Sequence, residues 1–284
     1  MSWAKPGDPV PLIAIKDLRY AYSEAGPPAL DGLDLIVDEG EWVCIVGPNG
    51  SGKSTLALLL AGLAMPGAAG MAQACGHDLL TASGRLAVRR DVGILFQNPD
   101  NQIVGSTVEE DLAFGLENLA LPAAEIRVRV DEMLASFDLV ELARREPHLL
   151  SGGQKQRTAL AGVVAIPRRV LILDEPTAML DPAGQSEVLA ALESLRGHGL
   201  TVVYVTQEMD EVQAADRVVA LEEGQAVFDG SVAALFADAA LLQRLSLGLP
   251  QAACVALALR ERGRHIEPLP LTMDELVESL GGAR

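Results

Sequence analysis

Gly47-Pro48-Asn49-Gly50-Ser51-Gly52-Lys53-Ser54 follows the strand-like run Glu41–Val46 and precedes the Leu- and Ala-rich stretch Ser54–Gly62. Strand, glycine-rich turn and helix in that order, with Lys and Ser in register, fit the phosphate-cradling loop G-x-x-x-x-G-K-[ST]. The glycines let backbone N–H groups wrap phosphate oxygens, and the N-terminus of the following helix faces them with its partial positive charge. Lys53 reaches the β- and γ-phosphates as a point charge. The Ser54 hydroxyl, with Thr55 beside it, is placed to ligate Mg2+. That one stretch makes the fold α/β and the ligand a nucleotide.

Outward from the loop, Val10 to Arg19 has the pattern of a strand, and Leu33–Val37 and Glu41–Val46 continue it. Val92–Leu95 is a short apolar strand ending at Phe96-Gln97. Val170-Leu171-Ile172-Leu173 is apolar without interruption, as in a parallel strand covered on both faces. It ends in Asp174-Glu175. A carboxylate at the carboxyl tip of such a strand lies where open α/β sheets bind ligands. Asp174 is placed to hold Mg2+ through water, and Glu175, which points differently, to act as base for an attacking water. A helix near Ala183–Arg196 leads to the strand Thr201–Thr206, and Arg217–Glu222 and Gln225–Asp229 flank Glu223-Gly224 as a hairpin. Gly67–Ala74, rich in Ala and Gly, is expected to be a loop. Cys75 and His77 are expected to be loop residues, since two candidate ligands make no zinc site.

Between Asn98 and Leu150 the character changes. Val108–Leu119 and Ala123–Phe137 have helical periodicity, with Pro122 as a helix-starting residue. Residues 98–165 are expected to form a helical subdomain inserted within residues 1–236. Inside it, Ser151, Gly152 and Gly153 head a helix Gln154–Val164, where bare N–H groups and the helix dipole suit an anion. Beyond Ser231 the pattern is helical to the end. There Gln251–Arg262 is stopped by Gly263, and Thr272-Met273-Asp274-Glu275 forms a capping box.

The run Leu150-Ser151-Gly152-Gly153-Gln154-Lys155-Gln156-Arg157 resembles the signature of ABC (ATP-binding-cassette) ATPases. The resemblance implies a P-loop ATPase core: a mainly parallel sheet with helices on both faces, plus an antiparallel β portion. It also implies that Ser151, Gly152 and Gly153 serve the γ-phosphate of an ATP held by a second ATPase subunit, in a homodimer or a paralogous heterodimer. Gln97 resembles the glutamine loop, which contacts Mg2+ and water. Tyr22 matches the aromatic that stacks on adenine; Tyr20 competes, although it falls within a strand. Asp181 resembles the D-loop that crosses the dimer interface, and reads equally as a helix N-cap before Pro182. Where the family presents His, as in T-H-E, this chain has Thr206-Gln207-Glu208-Met209. Gln207 thus stands at the γ-phosphate contact with a neutral amide donor.

Gln97-Asn98-Pro99-Asp100-Asn101-Gln102-Ile103-Val104 and Thr107-Val108-Glu109-Glu110-Asp111-Leu112-Ala113-Phe114-Gly115 look like the ATPases of energy-coupling-factor transporters and related cobalt and nickel importers. Gly248-Leu249-Pro250 and Leu259-Arg260-Glu261-Arg262-Gly263 are similar to their helical dimerisation tail, here residues 237–284. That resemblance implies uptake of vitamins or transition-metal ions from the cytoplasmic face of the cell membrane. An integral-membrane scaffold would dock on the helical subdomain, with a membrane substrate-binding subunit reached through the complex. Glu109, Glu110, Asp111 and Glu117 are the acidic candidates for that docking, and read equally as a solvated helix face. A classical ABC importer of another small solute is the rival. A soluble repair or translation ATPase fits poorly, because only 121 residues separate Lys53 from Asp174 and there is one cassette.

Composition agrees. The chain has 284 residues, 49% hydrophobic and 21% charged, the profile of a globular protein. Its net charge of −17 argues against nucleic acid and anionic lipid surfaces as partners. The longest apolar run, Leu56 to Met65, is about half of what a bilayer crossing needs. Met1-Ser2-Trp3-Ala4-Lys5-Pro6 lacks the apolar core of a signal peptide. Cys44, Cys75 and Cys254 show no paired spacing, which fits a reduced compartment.

Overall fold

Trp42–Val46 (β3) is buried at every position because its side chains alternate between two cores. Trp42, Cys44 and Val46 enter one, Val43 and Ile45 the other. Val170–Asp174 (β7) and Thr201–Val205 (β8) divide in the same way, with Leu171, Leu173, Val202 and Tyr204 on the first face and Val170, Ile172, Val203 and Val205 on the second. An uninterrupted apolar strand therefore reports two covered faces. The structure, a computed structural model, describes residues 10–23, 26–63, 67–196 and 199–281. Met1–Pro6, where no signal peptide is expected, the end of the Leu56–Met65 run and residues 282–284 lie outside them.

The other strands are Ile13–Tyr20 (β1), Leu30–Val37 (β2), Ala69–Ala74 (β4), His77–Asp78 (β5), Val92–Leu95 (β6), Arg217–Glu222 (β9) and Gln225–Gly230 (β10). The central sheet runs β10-β9-β3-β8-β7-β6, parallel from β9 to β6, with β10 closing an antiparallel edge. The β9–β10 turn places Glu223 at φ 49° and Gly224 at φ 81°, the two positive values a tight hairpin of this hand needs. A second, antiparallel sheet has the order β2-β1-β4-β5.

The expected loop Gly67–Ala74 is corrected here. Ala69–Ala74 pairs with β1, Ala74 opposite Ile13 and Ala72 opposite Ile15, and both alanines are buried. Small residues are poor strand formers in isolation, but a partner strand and a core to enter override that preference. Cys75 is buried at φ 51° just past the strand. His77, also expected in a loop, lies in β5 and meets Asp91 at 3.2 Å. Burial pushes the Cys75 thiol up to about 11. The short helix Ala82–Val88 (α2), capped by Thr81, was not anticipated, being too short to show periodicity.

Lys53–Leu60 (α1) packs with the antiparallel sheet on the second face through Leu56, Leu59 and Leu60. On the first face lie Val108–Glu117 (α3), Ala123–Ser136 (α4) and Gly152–Ala165 (α5), joined through Val108, Leu112, Leu116, Val130, Leu134 and Leu160. Pro182–Arg196 (α6), Val232–Ala237 (α7) and Ala239–Arg244 (α8) complete it. Leu241, Leu242 and Leu245 belong to that same core. Gln251–Glu261 (α9) and Met273–Gly281 (α10) instead share a small cluster of Ala252, Ala256, Ile266 and Leu276.

The tail is not continuously helical. Gly263 at φ 85° ends α9, with Arg264 N–H returning to Leu259 O at 3.0 Å. Residues 263–271 then run without helix until the Thr272–Glu275 capping box opens α10, with bonds of 3.1 and 3.3 Å. Gln251 N–H to Asp210 at 2.9 Å, and Gln213 to Leu271 O, tie the tail to the body. Because α8 is part of the main core, we propose that a dimerising tail begins at Gln251 and not at residue 237. Deleting residues 251–284 is expected to leave nucleotide binding intact and to weaken association in the absence of ATP. An unchanged dimer constant by sedimentation would reject a dimerising role for the tail.

Candidate functional site

The phosphate loop is shaped by steric exclusion. Gly47 sits at φ 143°, and a Cβ there would lie 2.2 Å from Leu221 O; at Gly52, φ 104°, it would lie 2.5 Å from Ala29 O. Only glycine fits between the β9–β10 turn and the start of α1. Gly224 N–H, in that turn, donates to Ser51 O at 3.0 Å. Helix α1 has no side-chain cap at Gly52, so its first N–H groups are left for a ligand. Lys53, 6% exposed, donates to Gly47 O at 2.8 Å and Pro48 O at 2.9 Å. Burial lowers its pKa, while Glu175 and Asp174 raise it. Among the described residues the buried Ser51 hydroxyl has no hydrogen-bond partner.

At the tip of β7, Asp174 is buried and Glu175 half-buried. Burial pushes the Asp174 carboxyl up, a bond from the Ser54 hydroxyl draws it back, and Glu175 and Lys53 add smaller opposing effects. Glu175 takes φ 50°, a left-handed conformation that costs a residue with a Cβ about 1–3 kcal/mol. Its N–H is held by Val205 O at 2.9 Å. Two amides grip its carboxylate. Gln97, just past β6, donates to one oxygen. Gln207, just past β8, donates to the other at 2.8 Å and to Asn49 Oδ1 at 2.8 Å. The phosphate loop and the tips of three strands thus converge through side chains.

Ser151 lies elsewhere. It caps α5 in a reciprocal box with Gln154, at 3.0 and 3.3 Å. With Gly153 and Gln154 it lines a cavity of about 400 Å3 that also takes in Met179, Leu180 and Asp181, and no phosphate-loop residue. Asp181 accepts from Gly184 N–H at 2.9 Å, the helix cap that its position allowed. Of the two tyrosines, Tyr20 is buried in β1, whereas Tyr22 is 58% exposed and meets Thr55 Oγ1 at 3.1 Å. Among the acidic residues of α3, Asp111 accepts from Val104 and Gly105 N–H at 2.7 and 2.9 Å, and Glu109 pairs with Arg127 at 3.0 Å. Glu110 and Glu117 line a shallow groove beside them.

The ABC transporter domain matches residues 30–178. The energy-coupling factor transporter ATP-binding protein EcfA1 of Symbiobacterium thermophilum is 49% identical over 278 residues, 95% of this chain and 96% of that one. The chain belongs to the ABC transporter ATPases of the energy-coupling factor group. Among solved structures, cbiO1 from Clostridium perfringens, part of the ABC transporter complex cbiONQ, is 34% identical with a TM-score of 0.73 over 88% of this chain and 99% of that one. The cassette MJ0796, dimeric in a post-hydrolysis state with ADP and Pi, is 30% identical with a TM-score of 0.71 over 78% and 98%. This ATPase accordingly binds and hydrolyses ATP.

The sequence reading did not find three residues behind the site. Thr177, Thr206 and Glu211 are buried, and both threonines donate to the Glu211 carboxylate. No periodicity or motif marks a carboxylate between Met209 and Val212 as anything but a surface charge.

Proposed function

We propose that this chain binds MgATP between its own phosphate loop and the signature helix of a second ATPase subunit, a copy or a paralogue. It hydrolyses the γ-phosphate there and passes the closure to an integral-membrane scaffold on the helical subdomain. The work done is uptake of vitamins or transition-metal ions through a membrane substrate-binding subunit. One observation carries the reading. Lys53, Asp174, Glu175, Gln97 and Gln207 converge at one end of the sheet, whereas Ser151 and Gly153 line a separate cavity with Asp181. Each half offers what the other lacks, which favours a head-to-tail pair.

On ATP binding, Lys53 exchanges the Gly47 and Pro48 carbonyls for β- and γ-phosphate oxygens, and the N–H groups from Gly50 to Thr55 close round them. Tyr22 is the ring exposed for adenine. The Ser54 hydroxyl, the Asp174 carboxylate and the Gln97 side-chain oxygen are hard donors suited to Mg2+. Among the described residues no cluster of three or more His, Cys, Asp or Glu could hold a metal unaided, so these residues would hold Mg2+ together with phosphate oxygens and water. When bound, Mg2+ neutralises charge on the β- and γ-phosphates. Glu175 takes a proton from water as its oxygen attacks the γ-phosphorus, and the bond to the β,γ-bridging oxygen breaks to leave ADP. Gln97 and Gln207 hold the carboxylate in line. Ser151, Gly152 and Gly153 of the second subunit complete the charge on the far side.

We place the protein peripherally on the cytoplasmic face of the cell membrane. Among the described residues no helix is long and apolar enough to cross one, and the charge of −17 favours protein over nucleic acid as partner. The shared site is tested by mixing two inactive variants, Lys53→Ala and Ser151→Arg. Each alone is expected to be inactive, and the mixture to regain ATPase activity through one intact composite site. No recovery would show that two copies of this chain do not form the site, leaving a paralogue as the second subunit.

A further inference from the structure

The backbone ladder between β7 and β8 ends at the bond from Glu175 N–H to Val205 O. Beyond it the two chains part into the loops that carry Glu175 and Gln207, the pair that must act together. A single carboxylate takes up the link. Thr177, two residues past Glu175, donates its hydroxyl to one oxygen of Glu211. Thr206, one residue before Gln207, donates to the other at 2.5 Å and accepts from Glu208 N–H at 2.9 Å. Glu211 is 4% exposed and both threonines 2%.

Leaving a carboxylate in such a place is costly unless its oxygens are bonded. Each oxygen of this one planar group accepts from a different loop, so the carboxylate spans both at once. Tyr204 of β8, Cys44 of β3 and Glu208 are the titratable groups around it. Burial pushes the Glu211 carboxyl up, and the bonds from Thr177 and Thr206 draw it back. Among the described residues Glu211 has no hydrogen bond to Glu175 or Gln207, and its link to their loops runs through the threonines.

We propose that Glu211 is a positioning residue, which locks the loop of Glu175 and the loop of Gln207 into one unit so that base and γ-phosphate contact stay in register. This rests on the catalytic roles proposed above for Glu175 and Gln207. Small misplacements of reacting groups are enough to slow chemistry by about a hundredfold, so the brace should act on rate more than on binding.

The experiment compares full-length Glu211→Ala and Glu211→Gln with Thr206→Val and Thr206→Ser, measuring kcat, KM and ATP affinity together with melting temperature. We expect Glu211→Ala to lower kcat about tenfold or more with ATP affinity unchanged within about twofold. Glu211→Gln, with one acceptor oxygen left, should fall between. Thr206→Ser should keep the rate that Thr206→Val loses, which keeps the test alive if Glu211→Ala fails to fold. In a Gln207→Ala background the Glu211→Gln penalty should shrink, because one of the two contacts it aligns is gone. An unchanged kcat in both Glu211→Gln and Thr206→Val would overturn the proposal, as would a loss matched by falling ATP affinity or fully additive double variants. If Glu175→Gln itself stays active, the underlying assignment fails instead, which separates the two.

Discussion

Glu175→Gln is expected to keep MgATP binding and to lose turnover by about 10²–10⁴-fold, the usual contribution of a positioned general base. Binding survives because the Lys53 ammonium, the glycine cradle and the start of α1 are untouched. The base does not. An amide cannot take the proton from water, and of the two donors that now grip the carboxylate, Gln97 and Gln207, only one finds an oxygen on the substituted side chain. The same change removes a negative charge from beside the γ-phosphate, so the ATP-bound dimer should persist instead of opening. ATPase rate and sedimentation measured on one sample check both halves. A variant that retains most of the wild-type rate would place the base elsewhere.

How much of this was legible in the sequence depends on how local the signal is. The phosphate loop and Val170–Leu173 are written in consecutive residues, and each appears where its pattern says, whereas the Ser151 cap, which takes up the Gln154 N–H at a helix head read as bare, was not foreseen. β3, β7 and β8 were readable because a strand covered on both faces has nowhere to put a polar residue. Ala69–Ala74 was not, since its strand identity comes from β1 alongside it and from the core in which Ala72 and Ala74 are buried. Nor was the position of α8: the sequence shows a helix there but not that Leu241 and Leu242 join the main core. Of the site, the family resemblance pointed to Gln97 and Gln207, whose amides meet Glu175, but nothing pointed to the partners that brace the loops from behind. Thr177 and Glu211 are 34 residues apart, and nothing short of the fold brings them together.

Gln207→His is expected to raise the single-turnover rate about tenfold. In this structure the Gln207 amide is committed to Asn49 and Glu175, both at 2.8 Å, so to meet a γ-phosphate it must give up or share one of them. The substitution keeps a donor at similar reach on a stiffer ring, better able to hold one geometry. A hydrogen bond to a charged group contributes ~1.5–3 kcal/mol, and a compromised amide contact would forfeit about 1–2 of that. By transition-state arithmetic this corresponds to roughly a 5–30-fold slower chemical step. ATP binding should be unaffected, since Lys53 and Ser54 carry it. The pH profile supplies a second readout. A glutamine amide does not titrate, whereas an imidazole with an ordinary pKa of about 6.5 changes charge in the assay range, so only the variant should gain a pH dependence there. A rise near tenfold would make the native site a slowed one, suited to pairing with a fuller site on a paralogous subunit. An unchanged or lower rate would reject that reading and make Gln207 a competent γ-phosphate contact in its own right.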